Sequence, residues 1–446
     1  PFISVFLQRS EAMNHRKKLH IGMSLSPTWL AGDAWRRDDS KIEDIYGSDF
    51  HLDIAKRSEQ AKLDFVFRPD TLFLDSQILE SGPGFSSLDP TILLASIARE
   101  TGRIGLLSTA STTFFPPYIV ARQIQSLNWL SNGRAGWNIV TALDGNQNFG
   151  LDAMPSSDER YERAIEFTEI VRQLWQSYPH SALMNHRASG RYADTSKIKS
   201  INHSGKYYTV KGPLNVPAYG DTPIPLIQAG ASETGRDFAA SIADAIFAAT
   251  PDKDVASELR KDLRRRATSH GRNEDDILVL PGLSLYLAST ESEARDLYTE
   301  THARQDNVKK LQYIKSLTDL DLSLWPTDRP ITAADLPPPP ATVRSRTHSN
   351  LLRRLIHREE PTVETLLRCP EVIGSAHWQV IGTVDDAIEK IEEWTNAGAM
   401  DGFISVPGGS VDSVDIFFEQ LMPRLSDNGF FRSEYSGNTF YEHLKE

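Results

Sequence analysis

Polar side chains bunch where a short apolar run gives out between residues 131 and 164. Asn132-Gly133 is a turn signal, Gly136 to Thr141 has strand composition, and Asp158-Glu159-Arg160-Tyr161 opens an amphipathic helical pattern. The Asn138 amide, both donor and acceptor, therefore emerges near a strand's end, close in sequence to a phenol and a guanidinium at a helix start. In parallel α/β folds the carboxyl ends of strands are where chemistry sits.

A second group is Ile224-Pro225-Leu226-Ile227-Gln228-Ala229-Gly230-Ala231-Ser232-Glu233-Thr234-Gly235-Arg236, which reads as a buried strand, a glycine turn and a helix start. Free backbone N–H groups there, with the Ser232 and Thr234 hydroxyls, suit a phosphate. A plain N-cap on Ser232 is the alternative, because serine commonly caps helices. Asp70 follows the run Leu63 to Phe67, where a carboxylate can accept hydrogen bonds from a ligand or act as acid or base; an exposed loop aspartate is the plainer reading. Ser108, Thr109, Ser111, Thr112 and Thr113 end another run before Phe114-Phe115. Hydroxyls beside aromatics suit a planar, polar-edged ring, although β propensity alone also explains threonines there.

The elements that must position these groups alternate. Candidate strands are Leu19 to Leu25, Leu63 to Phe67, Ile104 to Ser108, Gly136 to Thr141, Ile224 to Gln228, Ala245 to Ala249, Ile277 to Leu287 and Gly402 to Val406. Helical patterns follow most of them, including Pro90 to Glu100, Tyr118 to Leu130, Tyr161 to Trp175, Thr234 to Ile242, Asp254 to Ser269 and Glu291 to Leu311. Eight strands with interposed helices is the count of an α/β fold of the (β/α)8, or TIM, barrel type. Two stretches are too long for connectors, so the expected organisation is a barrel over residues 19–446 with two long insertions at about 177–223 and 316–378. The first holds an expected hairpin turning at Ser204-Gly205; the second holds Pro337-Pro338-Pro339-Pro340, then a helical run from Ser349 to Arg358. Neither shows enough apolar periodicity for a core of its own, and both read as excursions that form lids. Residues 1–18 read as an N-terminal leader or arm, with Met13 as a start residue within it.

Composition narrows the function classes. The chain has 446 residues and a net charge of −12, with no long basic block; Arg264-Arg265-Arg266 lies on a helical pattern as a solvated face, so nucleic acid is not an expected partner. No apolar run reaches membrane-spanning length, so no membrane association is expected. Cys369 is the single cysteine, which excludes an intrachain disulfide and fits a reducing, cytoplasmic compartment. The 12 histidines are scattered without metal-ligand spacing, so no metal is expected. There is no G-x-G-x-x-G, G-x-x-x-x-G-K-[ST], G-x-S-x-G or H-E-x-x-H, so a built-in dinucleotide site is unsupported.

Taken together, Gly133 to Thr141, the Arg160-Tyr161 helix start, Gln228 to Gly235, Asp401-Gly402-Phe403-Ile404 and the tail Gly429-Phe430-Phe431-Arg432-Ser433-Glu434-Tyr435 resemble the flavin-dependent monooxygenases of the nitrilotriacetate, EDTA, dibenzothiophene-sulfone and long-chain alkane type, within the bacterial luciferase-like superfamily. The likeness runs from about Leu19 to Leu444. It implies FMN at the carboxyl ends of a barrel, with Asp70, Thr109 and Asn138 toward the flavin and Tyr161, Ala231 and Ser232 at its phosphate. Ser157, where relatives often carry histidine, is placed in the same cofactor-binding set. The resemblance also implies reduced FMN delivered by a separate, transient NAD(P)H:flavin reductase, a C4a-hydroperoxide formed with O2, and a small-molecule substrate bearing a C–S or C–N bond. A homodimer or homotetramer is expected. Ala142 and the segment Leu30-Ala31-Gly32-Asp33-Ala34-Trp35-Arg36 depart from the family pattern, as does the lack of a histidine around Leu317, so no catalytic base is assigned. The alternatives are a deazaflavin-dependent dehydrogenase on the same fold and a non-catalytic flavin-binding protein.

Overall fold

The computed structural model describes residues 17–446, so most of the expected leader lies outside the described residues. Nine parallel strands form one sheet: β1 (His20–Ser24), β2 (Phe65–Arg68), β3 (Gly105–Ser111), β4 (Ala135–Val140), β5 (Leu226–Gln228), β6 (Ala245–Ala248), β7 (Leu278–Leu287), β8 (Trp378–Gly382) and β9 (Gly402–Ser405). Every strand except β8 belongs to a closed ring, in which β6 pairs with β7, β7 with β9, and β9 returns to β1 with His20 opposite Gly402. These are the eight expected strands, and the fold is a TIM barrel. The ninth, β8, was not anticipated. It pairs with the outer half of the ten-residue β7, Leu283 opposite Trp378, beyond the residues Leu278 to Pro281 that pair with β6.

Alternation along each strand decides what faces the lumen. In β4, Ala135, Trp137 and Ile139 pack outward against the helices, which leaves Gly136 and Asn138 inward. Phe65, Phe67, Leu107, Ile227, Leu278, Leu280 and Ile404 fill the barrel. Phe440, from the short C-terminal helix Phe440–His443, plugs the amino-terminal end, where a side chain at Gly105 or Gly136 would strike its ring. The tail locks this face. Arg432 Nη2 lies 2.8 Å from Asp64 Oδ1, which also meets His20 Nδ1 at 2.9 Å, and the Tyr435 hydroxyl donates to Leu63 O at 2.6 Å. Burial alone would raise the Asp64 carboxyl, but Arg432 and His20 hold it below its ordinary value. The tail motif is thus structural, and the opposite face is left for chemistry.

The main helices are α1 (Ser48–Gln60), α2 (Pro90–Ala98), α3 (Pro117–Leu130), α4 (Ser157–Ser177), α5 (Glu233–Ile242), α6 (Lys253–Ser269), α7 (Glu291–His302), α8 (Asn307–Thr318), α9 (Arg346–Glu359) and α10 (Val384–Asn396). The single helix expected from Glu291 to Leu311 is instead α7 and α8, because the Asp306 carboxylate accepts the Val308 N–H at 2.8 Å and caps a new start. The expected hairpin forms, with His203–Ser204 antiparallel to Thr209–Val210. The arginine cluster is ion-paired rather than bare: Arg264 meets Asp275 at 2.8 Å and Arg266 meets Glu233 at 2.8 Å.

The second insertion corrects an expectation. It has a core of its own, in which Ile314, Leu317, Leu320, Leu322, Ile331, Leu352, Leu355, Ile356, Leu366 and Leu367 are buried together. Those residues come from α8, an irregular segment, α9 and the turn beyond it, so no single sequence window displays their periodicity. Arg354 to Glu258 and Arg358 to Asp252, at 2.5 and 3.1 Å, tie α9 to α6 of the barrel wall.

Candidate active site

Three of the expected residues meet at the carboxyl ends of neighbouring strands. The Thr109 hydroxyl, on β3, donates to Arg68 O of β2 at 2.7 Å and accepts from Asn138 Nδ2 of β4 at 2.9 Å. Asn138 is buried, and its Oδ1 has no hydrogen-bond partner. Asp70 stands two residues past Arg68, half-buried; burial and the nearby Asp89 push its carboxyl up to about 6, against the pull of Arg68. Arg68 itself is buried, with its Nε unpartnered. Two other hydroxyls at the end of β3 serve the loop: Thr112 donates to Val140 O at 3.2 Å, and Ser111 Oγ accepts the Thr113 N–H at 3.1 Å, while Thr113 Oγ1 is buried without a partner.

Above the lumen core, the half-buried Phe247 of β6 packs edge-on against Phe67 with centroids 5.5 Å apart and carries the His377 ring stacked on it at 5.2 Å. His377 arrives from the second insertion through three consecutive left-handed residues, Gly374, Ser375 and Ala376, with φ of 72°, 60° and 58°. Two of these are not glycine, so the backbone is strained to place the ring. Gly282 makes room for it, since a side chain there would collide with the imidazole. His377 Nδ1 is enclosed without a partner, and burial lowers the imidazole to about 4, leaving it neutral. Sequence reasoning missed His377 and Phe247; the insertion supplies an imidazole, although the position near Leu317 does not.

The other expected residues gather one strand further on. Tyr161, in the first turns of α4, receives a hydrogen bond from Gln228 Nε2 at 3.4 Å, and its hydroxyl also bonds Ser232 and Thr141. Burial pushes this phenol above its ordinary value despite those bonds, so it stays neutral. The hydroxyl lies so close to Gly230 that no side chain fits there. Ser232 caps α5, its Oγ accepting the Gly235 N–H at 3.2 Å, so the cap reading holds on its own terms. The Ala231 N–H donates to Thr347 Oγ1 at 3.2 Å. Ser157 is the first residue of α4, half-buried, with Ser156 before it taking the cap. Gln228 Oε1 is buried without a partner, as is Nε of Arg160, a residue only 7% exposed. Gln228 and Arg160 lay within the motifs but carried no assigned role.

The arrangement has unsatisfied acceptors, Asn138 Oδ1 and Gln228 Oε1, and unsatisfied cationic donors, Arg68 Nε and Arg160 Nε, on the same face. Buried polar atoms without partners mark places where a ligand completes the bonding. A flavin phosphate fits this pattern: its ring carries N–H groups for the carbonyls, and its phosphate suits the arginine and the helix start. Among the described residues, no cluster of His, Cys, Asp and Glu has the geometry to hold a metal.

A parallel barrel whose strand ends and following helix starts carry amide, hydroxyl, phenol and carboxyl groups defines a TIM-barrel enzyme with its site at the carboxyl face. The model of one enzyme family, the luciferase-like monooxygenases, matches residues 37–401, and the chain belongs to that family. It is 35% identical over 434 residues to N-acetyl-S-(2-succino)cysteine monooxygenase of Bacillus subtilis (strain 168), covering 96% of this chain and 97% of that one. It is 32% identical to nitrilotriacetate monooxygenase component A of Aminobacter aminovorans, covering 97% of each. Among solved structures, a riboflavin lyase with modified FMN and riboflavin superposes with a TM-score of 0.81 at 28% identity, covering 96% of each chain. No helix among the described residues is long and apolar enough to cross a membrane.

Proposed function

We propose that this chain is the oxygenase component of a two-component system, taking reduced FMN from a separate NAD(P)H:flavin reductase and inserting one atom of O2 into a small organic substrate. The observation that carries the reading is the pairing of buried, unpartnered groups: Asn138 Oδ1 inside the lumen, and Arg160 Nε with Gln228 Oε1 near the start of α5. One end suits a heteroaromatic ring, the other a phosphate. The lack of a dinucleotide motif and the component name of the nitrilotriacetate relative support an external reductase.

Reduced flavin supplies two electrons to O2, so that one oxygen atom enters the substrate and the other leaves as water. The protein's residues bind, orient and exclude water. Asn138, braced by Thr109, holds one ring edge. Tyr161 and Ser232 would hold the phosphate beside Ala231, whose own N–H is taken by Thr347, with Ser157 at the edge of that pocket. Asp70, just past the end of β2, would accept from the ribityl or imide groups, and neutral His377 offers an uncharged ring nitrogen above Phe247. The substrate class favoured is a small molecule with a C–S bond, such as an S-substituted cysteine, in line with the relative at 35% identity.

The test mixes the chain with NADH and FMN, with and without an added flavin reductase, and assays a panel of thioethers and tertiary amines for oxygenated product. Product that requires both the reductase and O2 supports the reading. NADH oxidation by the chain alone, or turnover with a deazaflavin in the absence of O2, contradicts it.

A further inference from the structure

Three helices begin at one corner of the barrel mouth. They are α4, capped by Ser156; α5, capped by Ser232; and α9 of the second insertion, capped by Ser345. Two contacts bring the insertion there. Thr347, the second residue of α9, accepts the Ala231 N–H at 3.2 Å although the two lie 116 positions apart. Arg346 Nη1 stands 3.7 Å from Asp158 Oδ1 in the first turn of α4.

Asp158 answers Arg346 at this corner, but Arg160 has no such counter-charge. Arg160 is 7% exposed, its Nε has no partner, and among the described residues no carboxylate lies within ion-pairing distance of it. Its guanidinium loses proton affinity first through burial and further through the positive charge of Arg346. A buried cation without a counter-ion, with a second cation nearby, is unfavourable unless an anion binds beside it. The helix starts add partial positive charge of the same sign. A doubly charged phosphate monoester has the charge and the acceptor oxygens to satisfy this set.

We propose that Arg346 and Thr347 form the third wall of the cofactor's phosphate pocket, so that the phosphate docks the second insertion onto the barrel. The inference rests on the flavin reading above and extends it to a residue pair outside every motif. Because the insertion has its own buried core, it docks as one body. His348, next to Thr347, reaches Ser375 O at 3.3 Å through Nε2, which couples the pocket to the strained turn that carries His377. A bound phosphate thereby fixes the imidazole over the lumen as well as the insertion itself.

The experiment measures binding of oxidised FMN and of riboflavin to the wild type, Arg346→Gln and Thr347→Val by flavin fluorescence. Hydrogen exchange of residues 346–359 is followed with FMN, riboflavin or inorganic phosphate. Arg346 is half-exposed, so its replacement leaves the fold intact. Arg346→Gln is expected to raise the FMN Kd by roughly tenfold with riboflavin unchanged, Thr347→Val less, as for loss of a charge-assisted contact. FMN, but not riboflavin, is expected to slow exchange over 346–359. A wild type that prefers FMN, with both variants retaining that preference and exchange over 346–359 the same with either flavin, overturns the third wall while leaving the flavin reading intact. A wild type that binds FMN and riboflavin equally overturns the phosphate pocket itself, and the inference with it.

Discussion

Asn138 Nδ2 donates to Thr109 Oγ1 at 2.9 Å, and the direction of that bond is fixed by a third residue. Thr109 has one hydroxyl proton and spends it on Arg68 O at 2.7 Å, so its oxygen can only accept from the amide. The carbonyl oxygen of Asn138 is thereby left free in a buried site. The strand ladder β2, β3, β4 sets the orientation of one acceptor, and a ring N–H of the proposed flavin would satisfy it.

Asn138→Ala should therefore fold and weaken flavin binding by about 1–2 kcal/mol, the worth of one buried hydrogen bond. Oxygen use should also become less coupled to product, since a loosely held ring loses alignment. Titration of the variant with FMN, alongside its circular dichroism, checks this. Collapse of the fold, with flavin binding lost only as a consequence, would make Asn138 a core residue instead.

Ser232 serves two purposes in this account, so Ser232→Ala should show both. Loss of the cap costs about 1 kcal/mol of stability, read by denaturant unfolding. Loss of the hydroxyl should weaken FMN more than riboflavin. Equal weakening for the two ligands would leave only the cap.

Asp70 and His377 are displaced in opposite senses within one pH range, and this separates them. The Asp70 carboxyl is raised from 3.8 to about 6, so the stability it lends is complete below 3.8 and is lost as pH rises through about 6. Asp70→Asn should remove that loss and gain most, relative to wild type, near neutral pH. His377 is lowered from 6.5 to about 4, so its contribution is complete above 6.5 and is lost as pH falls through about 4. His377→Phe, which preserves the stack on Phe247, should be less sensitive to acid. Unfolding curves from pH 4 to 7 test both, and slopes parallel to wild type in either variant would remove that assignment.

Much of the barrel was legible in the sequence because each strand is a short apolar run between turn signals. The helix start at Ser232 was legible because glycine, serine and a glutamate follow a buried strand in order. The ninth strand, β8, was hidden because it ends an insertion and only alternate residues, Trp378, Val380 and Gly382, are buried. His377 and Thr347 were out of reach for a different reason: tertiary packing brings them to the mouth, and no local pattern records it. The satellite core escaped notice because its apolar residues are spread over several elements.

That satellite core makes the covering role of the second insertion testable. Leu352→Ala removes a fully buried side chain from it, at a cost of about 2–5 kcal/mol local to the insertion. With the mouth less well covered, reduced flavin should discharge more oxygen as hydrogen peroxide, while FMN affinity falls modestly. Peroxide released per NADH consumed, with a fixed amount of reductase, measures it. An unchanged ratio would mean that the insertion does not cover the site.

The central claim is that this barrel mouth binds reduced FMN and governs its encounter with O2. Mixing anaerobic reduced FMN with excess chain, then with oxygenated buffer, and following flavin absorbance in a stopped-flow instrument tests it without knowledge of the substrate. The account predicts reoxidation that is slower than that of free reduced FMN and that reverts to the free rate when Asn138→Ala and Ser232→Ala are combined. Reoxidation at the free rate in the presence of saturating wild-type chain would contradict it.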